Sequence, residues 1–180
     1  MDEAGRGPLA GPVVASAVVL YRPPRHVQID DSKRLSALAR ARAYPVICAD
    51  ADVGVGAAGV EEIDRLGIHR ATELAMVRAL RALKRPPHFV LIDGNRVPRD
   101  CRVPARALVG GDGKSLSVAC ASIVAKVVRD RWMGWVDRLH PEYHFAQHKG
   151  YGTLEHRKLL KRLGPSPQHR FSFRPIRLET

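Results

Sequence analysis

The period of the apolar positions changes along the chain, and each change marks an element. Gly11-Pro12 is followed by VVASAVVL, an apolar, β-branched run that reads as a buried strand over Val13–Leu20. A Pro-rich turn follows at 21–26. Asp31 and Ser32 stand where they could cap a short helix reaching to about Cys48, and residues 53–58, with their glycines, read as a weaker strand. From Glu61 to Leu83 the positions Ile63, Leu66, Thr72, Leu74, Val77 and Leu80 keep a helical stripe between Arg and Glu, with a break at Gly67.

The second half repeats the alternation. Phe89-Val90-Leu91-Ile92 ends at Asp93-Gly94-Asn95, so a central strand delivers a carboxylate to its own C-terminal edge, where ligand sites collect. A short strand is expected over 105–109, and Gly110-Gly111-Asp112-Gly113 then turns the chain into a helix over about 116–139. On that helix Leu116, Ala119, Cys120, Ile123 and Val127 make the expected buried stripe. Ser115, Ser122, Lys126 and Arg129 fall on the opposite face, and Trp132 and Trp135 read as core packing. Thr153 caps a last helix through Leu163, closed by Gly164-Pro165. The pattern predicts one α/β domain over 1–180, helical from about 140, with no repeat or low-complexity stretch.

Composition narrows the function. Lys and Arg number 30 against 18 Asp and Glu, a net charge of +12, and the isoelectric point is near 10.4, so a polyanion such as nucleic acid is the expected partner. The apolar share of 45% is that of a folded domain and excludes a disordered basic arm. A bilayer span needs about 20 apolar residues, and the best run, Val13–Leu20, falls well short of that. The acidic start does not resemble an export signal, so a cytoplasmic location with no membrane contact is expected. Three scattered cysteines form no C-x-x-C and read as small core residues, neither a disulfide framework nor a zinc knuckle. His140, His144 and His148 have the spacing of a helical zinc face, but Pro141 and Gly150 break that helix, and the segment reads as a loop at the nucleic-acid surface. Gly113-Lys114-Ser115 lacks the earlier glycine of a P-loop, since Leu108 stands there.

Candidate chemistry begins at Asp2-Glu3-Ala4-Gly5-Arg6-Gly7, two adjacent carboxylates and a glycine-flanked arginine. Glycines beside Arg6 let the backbone approach a ligand, and the guanidinium offers a planar fork for phosphate; the bland alternative is a solvated, flexible terminus. Asp93 at a strand end and Asp112 in a glycine loop could converge with Asp2 and Glu3. Four carboxylates carry −4, which two divalent cations would balance. An all-oxygen donor set suits Mg²⁺ or Mn²⁺, and two such ions about 4 Å apart clamp the oxygens of phosphodiester hydrolysis. The Ser115, Ser122, Lys126 and Arg129 stripe matches a row of phosphates, or is simply a solvated face.

Over nearly its whole length the chain resembles the bacterial-type ribonuclease HII family. The segments that carry the resemblance are Asp-Glu-Ala-Gly-Arg-Gly at 2–7, Asp-Ser-Lys-Arg-Leu at 31–35, Ile-Asp-Gly-Asn at 92–95 and Gly-Asp at 111–112. Ala-Ser-Ile-Val-Ala-Lys-Val at 121–127, Arg129-Asp130, His-Lys-Gly-Tyr-Gly-Thr at 148–153, His169-Arg170 and Ser172-Phe173 complete the series. The resemblance implies an RNase H-like mixed sheet flanked by helices. It also implies an endonuclease that cuts the RNA strand of RNA-DNA hybrids and cuts 5′ of ribonucleotides embedded in duplex DNA, leaving 3′-OH and 5′-phosphate ends. By it, Asp2, Glu3, Asp93 and Asp112 would hold two Mn²⁺ or Mg²⁺ ions, Gly5, Arg6 and Gly7 would read the 2′-OH, and Tyr151 would stack on the next sugar. Lys33, Ser122 and Lys126 are unranked candidates for phosphate contacts.

Two departures stand out: Val128 replaces a threonine common before Arg-Asp, and only Met1 precedes the acidic pair where the family has an apolar strand. The first strand is therefore expected to be nearly absent, the metal site weakened, and a few native N-terminal residues missing. A monomer is expected. The rival readings are another nuclease of this fold, such as a resolvase or integrase core, and a basic module that binds nucleic acid without cutting it.

Overall fold

The computed structural model of the chain describes residues 1–176. Strands β1 (Asp2–Ala4), β2 (Val13–Leu20) and β3 (Ala51–Ala58) form an antiparallel sheet in the order β1-β2-β3, while β4 (Val90–Asp93) and β5 (Ala105–Leu108) pair in parallel. Met1 joins the two sheets. Its nitrogen donates to the Leu91 carbonyl at 2.8 Å and its carbonyl accepts from the Asp93 amide at 3.0 Å. The first strand is thus short, as expected, but held on both sides, and it carries Asp2 beside the end of β4.

Among the described residues six helices flank the strands: α1 (Ala37–Asp50), α2 (Val60–Leu66), α3 (Ile68–Arg81), α4 (Leu116–Leu139), α5 (Phe145–His148) and α6 (Leu154–Leu163). Alternate residues of β2 feed two cores, because β2 is covered on both faces. Val13, Ala15 and Ala17 pack with Ile63, Ala75, Ala79 and Ile92, while Val18 packs with Ile47, Ile123, Val124 and Val127. Helix α3 lies tight against β3 because that strand presents glycine: a Cβ on Gly56 would stand 2.2 Å from the Ala75 carbonyl oxygen. No helix among the described residues is long and apolar enough to cross a membrane.

Several expectations are corrected. Helix α1 begins at Ala37 and is capped by Ser36, whose side chain accepts from the Ala39 amide at 3.1 Å; Asp31 and Ser32 lie in the preceding turn. Leu116 is exposed, whereas Ser122 and Arg129 are buried, so the polar face assigned to α4 does not exist as read. The helix is enclosed on several sides, by β1, β2, α1 and α5, and a single apolar stripe understates that enclosure. Past Val127 the cover thins to Met133 and Val136 packed on Ala10, Tyr143 and Phe145. Trp132 and Trp135 therefore face outward, 43% and 49% exposed, in an edge-on pair. Of the cysteines only Cys120 is a buried core residue, and Cys48 is exposed. The segment 140–148 is a 3-10 turn followed by α5, with His148 buried in place of the expected surface loop.

Candidate active site

Three short-range features deliver three acids to one spot. Asp2 comes from β1, Asp93 from the C-terminal edge of β4, and Asp112 from the glycine-rich 3-10 turn that leads into α4. One carboxylate oxygen from each lies within 4.8 Å of the others. Local bonds hold them: the Glu3 amide donates to Asp2 Oδ1 at 2.7 Å, the Gly111 amide to Asp93 Oδ1 at 2.7 Å, and the Gly113 amide to Asp112 Oδ1 at 2.9 Å. Glu3 stands beside this trio and pairs with Arg6 at 3.3 Å.

The trio is short of positive charge. Burial, and then the charge of Glu3, push Asp2 up to about 7, while burial also raises Glu3 and, with Asp31 and Asp93 nearby, Asp112. The Met1 ammonium, on which the charges of Asp2, Asp93 and Glu3 act, is itself lowered to about 6 by burial. A cluster of buried and half-buried carboxylates, with oxygen donors only and no thiol or imidazole among them, fits a hard divalent cation such as Mg²⁺ or Mn²⁺.

Beside the acids runs a cleft of about 230 Å³ lined by Asp2, Glu3, Gly5, Arg6, Gly7, Lys33, Ser122, Lys126 and Tyr151, together with Ala4 and Ser32. Residues from four separate segments thus share one surface. Arg6, Gly7, Lys33 and Tyr151 are exposed on it. Ser122 is not free in the way a phosphate contact requires, since it is only 3% exposed and donates to the Ser32 hydroxyl at 2.8 Å. Lys126 pairs with Asp130 at 2.7 Å and lies 5.8 Å from the centre of the Tyr151 ring. A second recess of about 270 Å³ shares Glu3 and Arg6 and adds Asp93, His69, Asn95 and Arg96. There the Arg6 guanidinium also lies 3.1 Å from His69 Nδ1, a contact the sequence did not signal.

The backbone of 5–12 is shaped by two buried arginines to which the sequence reading gave no positioning role. Arg170 donates to the carbonyls of Gly5, Arg6 and Gly11, and Arg129 to those of Ala10, Pro12 and Lys149. Gly5 has φ +93 and no room for a side chain, because a Cβ there would fall 1.9 Å from Arg129 Nε. The glycines of the Gly-Arg-Gly segment therefore serve two ends. Gly5 admits the arginine behind the loop, and Gly7 leaves open space in front of it.

Comparison with known proteins is consistent with this geometry. The family model described as Ribonuclease HII matches residues 1–176. A ribonuclease HII of Rhizorhabdus wittichii is 56% identical over 176 residues, covering 98% of this chain and 87% of the relative. Another, of Parvibaculum lavamentivorans, is 51% identical over 177 residues, covering 98% of this chain and 66% of the relative. Among solved structures, the ribonuclease H2 from Pyrococcus horikoshii OT3 aligns with a TM-score of 0.80 at 24% identity, over 98% of this chain and 93% of that one, a likeness of fold.

Proposed function

The chain belongs to the ribonuclease HII family, metal-dependent endoribonucleases of the RNase H type, and we propose that as a single, monomeric catalytic domain it cuts both RNA-DNA hybrids and duplex DNA carrying single ribonucleotides. In the second substrate the cut falls on the 5′ side of the ribonucleotide and leaves 3′-OH and 5′-phosphate ends. The observation that carries this reading is the cleft in which the Gly5-Arg6-Gly7 backbone, Lys33, Lys126 and Tyr151 line one surface with Asp2 and Glu3. A surface built only to coat nucleic acid has no use for a cluster of acids at its centre.

Asp2, Asp93 and Asp112, with Glu3 beside them, would hold two Mg²⁺ or Mn²⁺ ions, which supply charge stabilisation to both the attacking and the leaving oxygen. The chain's own groups do the rest. Backbone groups of Gly5, Arg6 and Gly7 face the sugar closely enough to test for a 2′-OH, because no Cβ intervenes at the glycines. The Tyr151 ring lies against the following sugar, and Lys33 and Lys126 orient the strand through its phosphates. The deciding experiment is incubation of the protein, in Mg²⁺ and separately in Mn²⁺, with a DNA duplex carrying one ribonucleotide, followed by mapping of the cut. Binding without cutting in either metal would leave only the binding-module reading.

Two outcomes follow for single residues. Lys126→Ala should flatten the slope of log K against log salt by about 0.9, the share of one phosphate contact. An unchanged slope would remove Lys126 from the contacts. Tyr151→Ala should slow cutting at a single embedded ribonucleotide about tenfold more than cutting of a long hybrid, since one stacking contact is worth about 1–3 kcal/mol. Equal losses would show that the ring only helps to seat the backbone.

A further inference from the structure

We infer that His148, His156 and His169 are positioning residues for Tyr151, three neutral rings whose fixed tautomers hold the peptide at 150–151 and so aim the tyrosine ring along the cleft. The inference rests on the reading that Tyr151 lies against the substrate. All three histidines are buried, and none belongs to the acidic site.

Backbone partners dictate where each proton sits. The Ser166 amide can only donate, and it lies 2.9 Å from His169 Nδ1, so that nitrogen is bare and the proton is on Nε2. His169 Nε2 is 3.0 Å from His156 Nε2, so His156 accepts there and carries its own proton on Nδ1. That Nδ1 is 2.9 Å from the Tyr151 carbonyl oxygen, to which it donates. His148 is set in the opposite sense: the Gly150 amide donates to its Nδ1 at 3.2 Å, and its Nε2 donates to the Tyr143 carbonyl at 2.8 Å. The His148 and His156 rings stack with centroids 4.1 Å apart, and Phe145 meets both edge-on.

A proton added to either ring destroys this arrangement: on His156 it would sit on Nε2 and set two donors against each other between the rings, and on His169 it would sit on Nδ1 and face the Ser166 amide, which can only donate. Burial opposes that proton and brings His156 and His169 down to about 4, and it lowers His148 as well. The charged and titratable groups that face the stack are His140, His144, Asp137 and Glu155, together with Tyr143, whose ring lies 5.1 Å from that of His169. Glu155 is engaged with His144 at 2.8 Å, so it does not offer a buried counter-charge to the rings.

The rings end on a segment with no slack. Gly150 has φ +80, and a Cβ on it would stand 2.5 Å from the Ala10 carbonyl oxygen. Its own carbonyl accepts from the Leu9 amide at 2.8 Å, and the preceding Lys149 carbonyl accepts from Arg129 at 3.0 Å. With the Gly150 amide and the Tyr151 carbonyl taken by histidines, the backbone here is fixed and the ring alone projects into the cleft.

Two experiments test this. Nitrogen NMR of histidine-labelled wild-type protein at neutral pH is expected to show neutral rings, with the proton on Nδ1 in His156 and on Nε2 in His148 and His169. A cation, or the opposite tautomer at His156, overturns the inference, and this arm needs no variant to fold. The second compares His156→Asn, whose amide reaches Tyr151 but not His169, with His156→Gln, which reaches His169 but not Tyr151. The asparagine variant is expected to keep the wild-type ratio of cutting at a single ribonucleotide to cutting of a long hybrid. The glutamine variant is expected to lower that ratio at least about threefold, and to have no further effect on it when Tyr151→Ala is already present. If Tyr151→Ala shifts the ratio and His156→Gln does not, the histidines only pack. If Tyr151→Ala itself leaves the ratio unchanged, the reading of Tyr151 falls, and the inference built on it falls with it.

Discussion

Asp2→Asn should abolish metal-dependent cleavage and, in the same protein freed of metal, raise the melting temperature. Both effects come from one feature, a carboxylate only 5% exposed and pushed up to about 7 by burial and by Glu3. Asparagine keeps an Oδ1 to accept the Glu3 amide that now bonds Asp2 at 2.7 Å, so this contact within β1 survives. What disappears is the buried negative charge, and with it a ligand. Loss of several kcal/mol of transition-state stabilisation amounts to a drop of about 10³-fold or more in turnover.

The stability change has a definite sign. An acid whose pKa is raised by folding binds its proton more tightly in the folded state, so its ionisation opposes folding once the pH exceeds the unfolded value of 3.8. The cost grows up to a pH of about 7 and is constant above it. At about 1.4 kcal/mol per pKa unit it is on the order of a few kcal/mol, and for a chain of this size each kcal/mol moves the melting temperature by about 2–4 °C. The asparagine variant should therefore melt several degrees higher in chelator near pH 8 and converge with the wild type near pH 4. Melting curves at the two pH values, with cleavage assays beside them, check both halves. Retained cleavage, or the same melting temperature near pH 8, would sink the account of Asp2.

How much of this was legible beforehand depends on whether a feature is local. Val13–Leu20, the break at Gly67 and the strand ending at Asp93 are written in runs of a few residues, and the structure has them in those places. The meeting of Asp2, Asp93 and Asp112 could be anticipated because a strand end and a glycine turn put acids at an edge rather than on a face. The lining of α4 could not, because periodicity says which residues share a side of a helix but not how many sides have neighbours. Ser122 looked like a surface hydroxyl for that reason, although it is bonded to Ser32. The tryptophans looked like core because nothing in the stripe shows where the cover over α4 thins. The roles of Arg129 and Arg170 were hidden for a different reason. Their partners are backbone carbonyls, 117 to 165 residues away in the 5–12 loop, and a carbonyl leaves no residue type to look for.

Arg170→Met should be the most destabilising single substitution around the site. The guanidinium is fully buried, and its donors meet the Gly5, Arg6 and Gly11 carbonyls at 2.6 to 2.9 Å. Methionine fills much of the same volume but leaves these acceptors without partners, at about 1–3 kcal/mol each. Removing a buried cation gives part of that back, since burial already lowers the pKa of Arg170 and Arg129 repels it. The net loss should be about 3–5 kcal/mol, read as a shift of the urea midpoint at unchanged slope. Arg170→Lys restores the charge but not the fork, because one ammonium cannot span the same carbonyls, and it should recover little of the loss. The functional consequence is separable from the stability loss. Below the melting range of the methionine variant, the loop at Gly5, Arg6 and Gly7 loses the contacts that shape its backbone, so cutting at a single ribonucleotide should fall while the acids, held by their own amide bonds, keep their affinity for metal. Metal titrations followed by melting should then give the same midpoint for variant and wild type. A shifted metal midpoint, or a lysine variant as stable as the wild type, would show that Arg170 acts by its charge and not by the carbonyls it gathers.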